Sequence, residues 1–449
     1  MAIINLYSLA SCILIILYGL KSKLNALNSI SLSIILCAIP SLFLGYVGPD
    51  AARIGGIPIG YIFTLSSLST IILHTKFKYS NYYKSIILVF SALILYLIFQ
   101  SIIVSTHIVS SLQYIIMWAF YGLSMMSISQ VLSTISDRGF KRFFLYLSNT
   151  FIFCLSIGFF KLISVGSVAD RASFFVLINK NAAVFYIVIM AGIVTFMWRH
   201  KLIPNWIYFI QIFLTFLNII TLRSRTGILG IILLFIFIFI YNYKKKSVYY
   251  LLLLAFIFLM GSLHFTMDNI SVFDRFNLNY GRYLTTLISG NEAGSSGLKE
   301  ERRINILLTN IKMLKDIYLT GTGVGIKNYV SKIFKYTDRD SGYSTKAHNF
   351  YISYFNEFGI LGYTLLLIFF YLTYRKFSIY PGYKIEEEII FYKITFLCLS
   401  IMLIFNEYIT YPFLWVFLGI GLGYSHRRIK DVRKYLFYIN KDDLKFGNA

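Results

Sequence analysis

The sequence predicts an all-α polytopic membrane protein of about 12–13 transmembrane helices, with one large loop on the outer side. Three observations carry that reading. Hydrophobic residues make up 57% and charged residues 14% of the 449 residues, with a mean hydropathy of +0.70, whereas about a quarter of a soluble chain is charged. The apolar residues gather in runs that can each cross a bilayer at ~20 residues. Basic residues recur in every second connection between those runs.

Scanned at the length of a membrane crossing, the apolar runs place spans near 3–20, 29–47, 57–74, 84–104, 111–134, 143–165, 181–198, 203–222, 226–242, 247–266, 348–374, 389–406 and 409–425. The first has no basic segment before it and no small-residue cleavage site after it, so a retained helix is expected rather than a cleaved signal. Lys21/Lys23, Lys76/Lys78/Lys84, Arg138/Lys141/Arg142, Arg199/Lys201, Lys244/Lys245/Lys246, Arg375/Lys376/Lys384 and the tail from Arg427-Arg428 fall on one side. By the positive-inside rule that side is cytoplasmic. The opposite short connections hold only Arg53, Arg171, Lys180 and the pair Arg223/Arg225, and the loop near 267–347 lies with them outside. Asn406-Glu407 interrupts the last apolar stretch.

The expected organisation is therefore N-terminal transmembrane helices over 1–266, the large loop over 267–347, C-terminal transmembrane helices over 348–425 and a basic cytoplasmic tail over 426–449. The net charge of +23 invites a nucleic-acid partner, but the positions of the cations make it a topology signal and an attraction to lipid headgroups. No nucleic acid is expected. Cys12, Cys37, Cys154 and Cys398 all lie in spans, which implies neither a disulfide framework nor a cysteine metal site. No internal repeat or pair of broken helices supports a transporter built on inverted repeats.

Within the loop, Glu300-Glu301-Arg302-Arg303 precedes an amphipathic run from Ile304 to Tyr318 that reads as a helix on or near the bilayer. Gly321-Thr322-Gly323-Val324-Gly325 ends it. With no strand before it, that segment reads as a flexible turn rather than a nucleotide-binding loop. Asp338-Arg339-Asp340 resembles the metal-binding carboxylate pair of nucleotide-sugar transferases, but an outer face offers no nucleotide sugar, and no metal or cofactor is expected.

Two junctions concentrate polar chemistry where apolar runs meet connections. Arg223-Ser224-Arg225-Thr226-Gly227 puts two guanidinium groups between near-pure Ile, Leu and Phe segments. A charge near membrane depth costs roughly 2.5–3.5 kcal/mol on insertion scales. Snorkelling to lipid phosphate accounts for such residues; so does bidentate binding of a diphosphate. On a helix Arg223 and Arg225 would stand about 200° apart, so only one can serve a given ligand. Ala347-His348-Asn349-Phe350 forms the second junction. Five other histidines, His74, His107, His200, His264 and His426, show that histidine alone marks nothing. Lys346, Asn349, the preceding loop and Asn356-Glu357-Phe358-Gly359 single out His348, whose imidazole can accept a hydroxyl proton near neutral pH. Glu357 lies about half a turn round the helix from it and is not expected to orient it.

Ser224-Arg225-Thr226-Gly227-Ile228-Leu229, then Arg303 eighteen residues before Gly321-x-Gly323, then His348-Asn349 followed by Glu357-Phe358-Gly359-Ile360-Leu361-Gly362, resembles the bacterial O-antigen ligase and polymerase superfamily over roughly 200–375. The resemblance implies a membrane glycosyltransferase (GT-C-like) fold in the bacterial inner membrane, with the large loop and the active site facing the periplasm. It implies metal-independent, inverting transfer of a glycan from undecaprenyl diphosphate to an acceptor hydroxyl. Carried over, Arg225, Arg303 and His348 are the expected catalytic residues. Arg223, Arg302, Asn349 and Arg282 are expected to bind substrate. The doubled arginines at 223/225 and 302/303 depart from the family pattern, whose spacing favours Arg225 and Arg303.

The expected mechanism is electrostatic first: the arginines neutralise charge on the departing diphosphate while His348 takes or orients the acceptor's proton. Tyr280, Tyr283, Tyr329, Tyr336 and Tyr343 are available to stack on sugars or to pack the loop. Polymerase and ligase differ in acceptor, a second lipid-linked repeat unit or the lipid A core, and the sparse motif skeleton favours the polymerase. Expected partners are the undecaprenyl-diphosphate-linked oligosaccharide, membrane lipid and a chain-length-regulating membrane protein. The competing class, a lipid-linked oligosaccharide flippase, needs polar groups through both leaflets, whereas the spans here hold Lys161 and Lys393 as their main charges.

Overall fold

The computed structural model describes residues 2–43, 53–54, 57–76, 80–165, 180–222, 225–242, 299–336, 346–347, 349–377, 386–404 and 410–446, with Arg225, Arg302 and Arg303 placed by their backbone alone. Among these residues it forms fourteen helices: α1 (Ala2–Leu20), α2 (Lys23–Phe43), α3 (Ile59–His74), α4 (Lys84–Val104), α5 (Ile108–Leu132), α6 (Asp137–Val165), α7 (Lys180–Arg199), α8 (Asn205–Leu222), α9 (Arg225–Asn242), α10 (Lys299–Ile317), α11 (Ile326–Ile333), α12 (Phe350–Lys376), α13 (Glu386–Met402) and α14 (Pro412–Phe446). Each expected span overlaps a helix except 247–266, which lies outside the described residues. One departure from an all-α chain is a hairpin of two-residue strands, β1 (Arg53–Ile54) and β2 (Ile57–Pro58), before α3. β2 takes the first two residues of the span expected over 57–74, so the helix begins at Ile59 rather than at Ile57.

Helices are the form this sequence must take in hydrocarbon, because only they satisfy each backbone group within one segment. Four of them, α4, α5, the Asp137–Phe160 part of α6, and α12, are long and apolar enough to cross a membrane, and shorter apolar helices accompany them. Their outward faces confirm the solvent. Leu88, Leu95, Phe99 and Ile102 on α4, and Trp206, Phe209, Ile210 and Phe213 on α8, are exposed large apolar side chains at helical spacing. In water that pattern would be an aggregation surface, whereas lipid covers it without cost. The chain is a polytopic membrane protein.

Inside, α14 packs against α5, and Trp415 sits among Phe90, Trp118, Tyr121 and Phe369. Gly419 and Gly423, one turn apart, permit that approach: a Cβ at Gly423 would stand 3.0 Å from the Ser129 Cα and one at Gly419 would stand 2.8 Å from the Met125 carbonyl oxygen. Small residues at such positions let helix backbones close together where lipid supplies no hydrophobic drive.

Connections expected in the cytoplasm meet one another at one end of the bundle. Tyr82 Oη and Ser425 Oγ both donate to the Lys376 carbonyl, at 3.1 and 2.6 Å. His426 stacks on Tyr82 with ring centroids 4.7 Å apart and bonds Tyr83 Oη at 2.9 Å. Arg427 donates to the carbonyls of Leu132 and Ile135, at the C-terminus of α5, and pairs with Asp137. A cation there completes carbonyls that the helix leaves unpaired. The expected tail boundary at 425/426 is thus a change of polarity within one helix. No proline or glycine interrupts residues 426–446, so α14 runs on.

Candidate active site at the opposite end

The segment following α10 is the most constrained part of the other end. Gly321, Gly323 and Gly325 have φ of 71°, 90° and 97°, values that favour glycine. They form a turn, as expected, but a buried and clamped one rather than a flexible one. Thr322 N–H donates to the Asn356 carbonyl at 2.7 Å, Gly323 N–H to the Glu357 carbonyl at 3.2 Å, and Ile360 N–H to the Tyr318 carbonyl at 2.8 Å. These bonds are possible because α12 breaks its helical path at Gly359, φ 64° and ψ −179°. A Cβ on Gly321 would fall on the Glu357 carbonyl, and one on Gly359 on the Leu319 carbonyl. Two backbones cross here with no room for a side chain.

Polar groups from the α4–α5 corner hold the turn from below. Gln100 Nε2 donates to the carbonyls of Thr320 (2.5 Å) and Glu357 (2.8 Å). Asn328 on α11 accepts from His107 N–H at 2.8 Å and donates to Ser111 Oγ and the Val324 carbonyl, both at 2.7 Å. That corner and the loop are both expected outside, and they touch. The apolar face of α10 faces protein rather than lying bare to the bilayer: Met313 and Ile317 form a small buried core with Tyr329 and Ile333. Tyr336 donates to Asp316 at 2.5 Å, and that hydrogen bond pushes its ionisation up to about 12, so the tie persists through neutral pH.

The expected site residues sit as follows. Arg225 is the first residue of α9, with two residues between it and the end of α8 at Leu222. Gly227 packs that end on Val184 of α7, and Gly230 packs it on Met402 at the end of α13. The next carbonyl, Leu403, accepts from Phe350 N–H at 2.9 Å. The starts of α9 and α12 are therefore joined through the end of α13. Arg302 and Arg303 lie in the first turns of α10, whose Asn310 carbonyl accepts from Asn356 Nδ2 on α12 at 3.0 Å. The elements bearing Arg225, Arg303 and the 346–349 segment thus converge at one end. His348, Arg223, Arg282 and the Asp338-Arg339-Asp340 motif lie outside the described residues, as do Tyr280, Tyr283 and Tyr343.

Asn349 has a structural task beside the expected binding one: its Oδ1 accepts from Ile352 N–H at 3.2 Å and caps α12. Removing an asparagine cap costs about 1 kcal/mol. Asn349→Ala is accordingly expected to lower the thermal stability of the purified protein by that order, and Asn349→Asp, which keeps the acceptor, to leave it nearly unchanged.

Sequence reading passes over Gln100 and Asn328, and names Asn356 only as a neighbour of His348. Gln100, Asn328 and Asn356 are buried amides in or beside apolar helices. A buried amide must be paired, so each signalled a contact, though not with what. Lys346 and Glu357, both noted in the sequence beside His348, have partners that the sequence does not reveal: they pair with each other, and Glu357 Oε2 also accepts from Gly325 N–H at 3.2 Å.

Residues 210–367 match the family model Wzy_C, described as O-antigen ligase, a domain shared by O-antigen ligases and polymerases. That match covers less than half of the chain, and over those residues the chain is similar to the family. The matched region starts in α8 and ends within α12, and so takes in all three of the expected catalytic positions. No curated protein matches the chain.

Proposed function

We propose that this chain, as a carrier of a membrane glycan-transfer domain, is an O-antigen polymerase of the bacterial inner membrane. It joins undecaprenyl-diphosphate-linked oligosaccharide repeat units at the periplasmic face, through about 12–13 spans in the GT-C-like arrangement that the resemblance implies. The acceptor's hydroxyl oxygen attacks the anomeric carbon of the donor glycan. The bond from that carbon to the diphosphate oxygen breaks with inversion, undecaprenyl diphosphate leaves, and His348 takes the hydroxyl proton. Arg225 and Arg303 neutralise charge on the leaving oxygens, and no metal or covalent intermediate takes part. Arg223, Arg302, Asn349 and Arg282 bind substrate around them.

The observation that supports this most is the convergence of α9, which bears Arg225, α10, which bears Arg302 and Arg303, and the start of α12, which Asn349 caps. At the first turn of α9, unpaired amide groups and the helix dipole add to the attraction of Arg225 for an anion. The described part of the loop, 299–336, bonds to α12 beside this convergence. A chain-length-regulating membrane protein is the partner this role calls for.

The family description, O-antigen ligase, favours the second reading, transfer of the glycan to lipid A core by a ligase. Deleting the gene separates the two. The polymerase reading predicts core capped with a single repeat unit. Bare core, with glycan stranded on undecaprenyl diphosphate, would establish the ligase instead.

A further inference from the structure

Lys346 and Glu357 are both largely withdrawn from water, and their ion pair joins the segment before α12 to the third turn of that helix. Around the ammonium group stand two rings, Tyr354 with its centroid 5.2 Å from Nζ and Tyr329 with its centroid 5.7 Å away. Trp118 of α5 backs Tyr354 at 5.7 Å. Glu357 Oε2 reaches the other way, to Gly325 N–H. One carboxylate thus ties the glycine turn, α12 and the 346–349 segment together. Neither charge is tolerable alone in that setting, since an unpaired buried ion costs far more than the pair.

The tie bears on His348 through covalent geometry. Lys346 is fixed to Glu357 on one side; on the other Asn349 caps α12 and Phe350 N–H is bonded to Leu403. Consecutive Cα atoms are about 3.8 Å apart, so a shift of either anchor is passed to its neighbours in the chain. We propose that Lys346 and Glu357 are a positioning pair for the transfer reaction, holding the histidine-bearing segment in register with the glycine turn and with α10. This rests on the reading of His348 as the proton acceptor. Neither residue touches substrate; their effect is on where the imidazole stands.

The test uses the purified full-length protein in detergent with lipid-linked repeat units, measuring kcat and donor KM across pH for Glu357→Gln, Lys346→Met and Lys346→Arg. Glu357→Gln keeps the acceptor for Gly325 but loses the charge. It is expected to lower kcat by about 10–100-fold, the scale of a small misplacement at a reacting centre, with donor KM little changed and the pH profile of kcat displaced. Lys346→Met is expected to match it, and Lys346→Arg to restore most of the rate. Should either single variant fail to fold, the neutral pair Lys346→Met/Glu357→Gln leaves no orphan charge and is expected to show the same kcat loss in folded protein. Wild-type kcat and pH profile in folded Glu357→Gln or in the neutral pair, beside an inactive His348→Ala, would overturn the positioning role alone. A fully active His348→Ala would overturn the site reading and the positioning role with it.

Discussion

Arg225→Ala and Arg303→Ala are each expected to reduce transfer by roughly 10²–10³-fold, the loss seen when one preorganised donor to a developing anion is removed. His348→Ala is expected to lose about 10²–10⁴-fold, the usual contribution of a positioned general base. The two kinds of loss differ in form. An arginine that meets the diphosphate in the ground state as well raises donor KM, whereas the histidine acts on the acceptor's proton and lowers kcat. Arg225→Lys is expected to recover only part of the rate, because an ammonium group cannot make the two parallel hydrogen bonds of a guanidinium fork. Arg223→Ala and Arg302→Ala, at the neighbours the spacing disfavours, are expected to have smaller effects. Steady-state kinetics on purified variants of normal yield checks each of these. Folded variants of Arg225, Arg303 and His348 with unchanged rates would remove the proposed chemistry.

Gly359→Ala is expected to disable the protein by a different route. Its φ of 64° and ψ of −179° lie in a region essentially reserved for glycine, which costs another residue about 1–3 kcal/mol. The added Cβ would also fall on the Leu319 carbonyl. Relief requires the 319–323 turn to lift from α12, breaking the bonds from Thr322 to Asn356 and from Gly323 to Glu357. Since α10 and α11 reach α12 across this crossing, Arg303 would lose its place along with the turn. The expected result is a protein that still inserts, is cleaved by added protease within 299–336, and transfers little glycan. Protease resistance and activity equal to the parent would show that the crossing has no such role.

The extent to which this architecture could be read in advance follows from the range of the interactions involved. The span expected at 84–104 is α4 residue for residue, because apolar runs and positive connections are local signals that the bilayer itself enforces. The start of α9 at Arg225 lies one residue before the span expected from 226, because Arg223 and Arg225 interrupt the apolar sequence there. The clamp was not legible in this way. That Gly321 crosses the backbone at 357–359 depends on residues more than thirty positions apart, and three glycines in a row of five look the same in a mobile turn as in a crushed one. Glu357 was visible as a lone acid in an apolar helix, but its partners, Lys346 and the Gly325 amide, come from outside that helix. The β1–β2 hairpin escaped for the opposite reason: its strands have two residues each, too short for any alternation to appear.

The central claim, that this chain itself lengthens lipid-linked glycan, is met most directly by incubating the purified protein in detergent with undecaprenyl-diphosphate-linked repeat units and no other protein. The account predicts a ladder of products differing by whole repeat units, with undecaprenyl diphosphate released in step, and no ladder from His348→Ala. Donor that stays at one repeat unit with the parent protein, under conditions where it is folded and binds that donor, would contradict it.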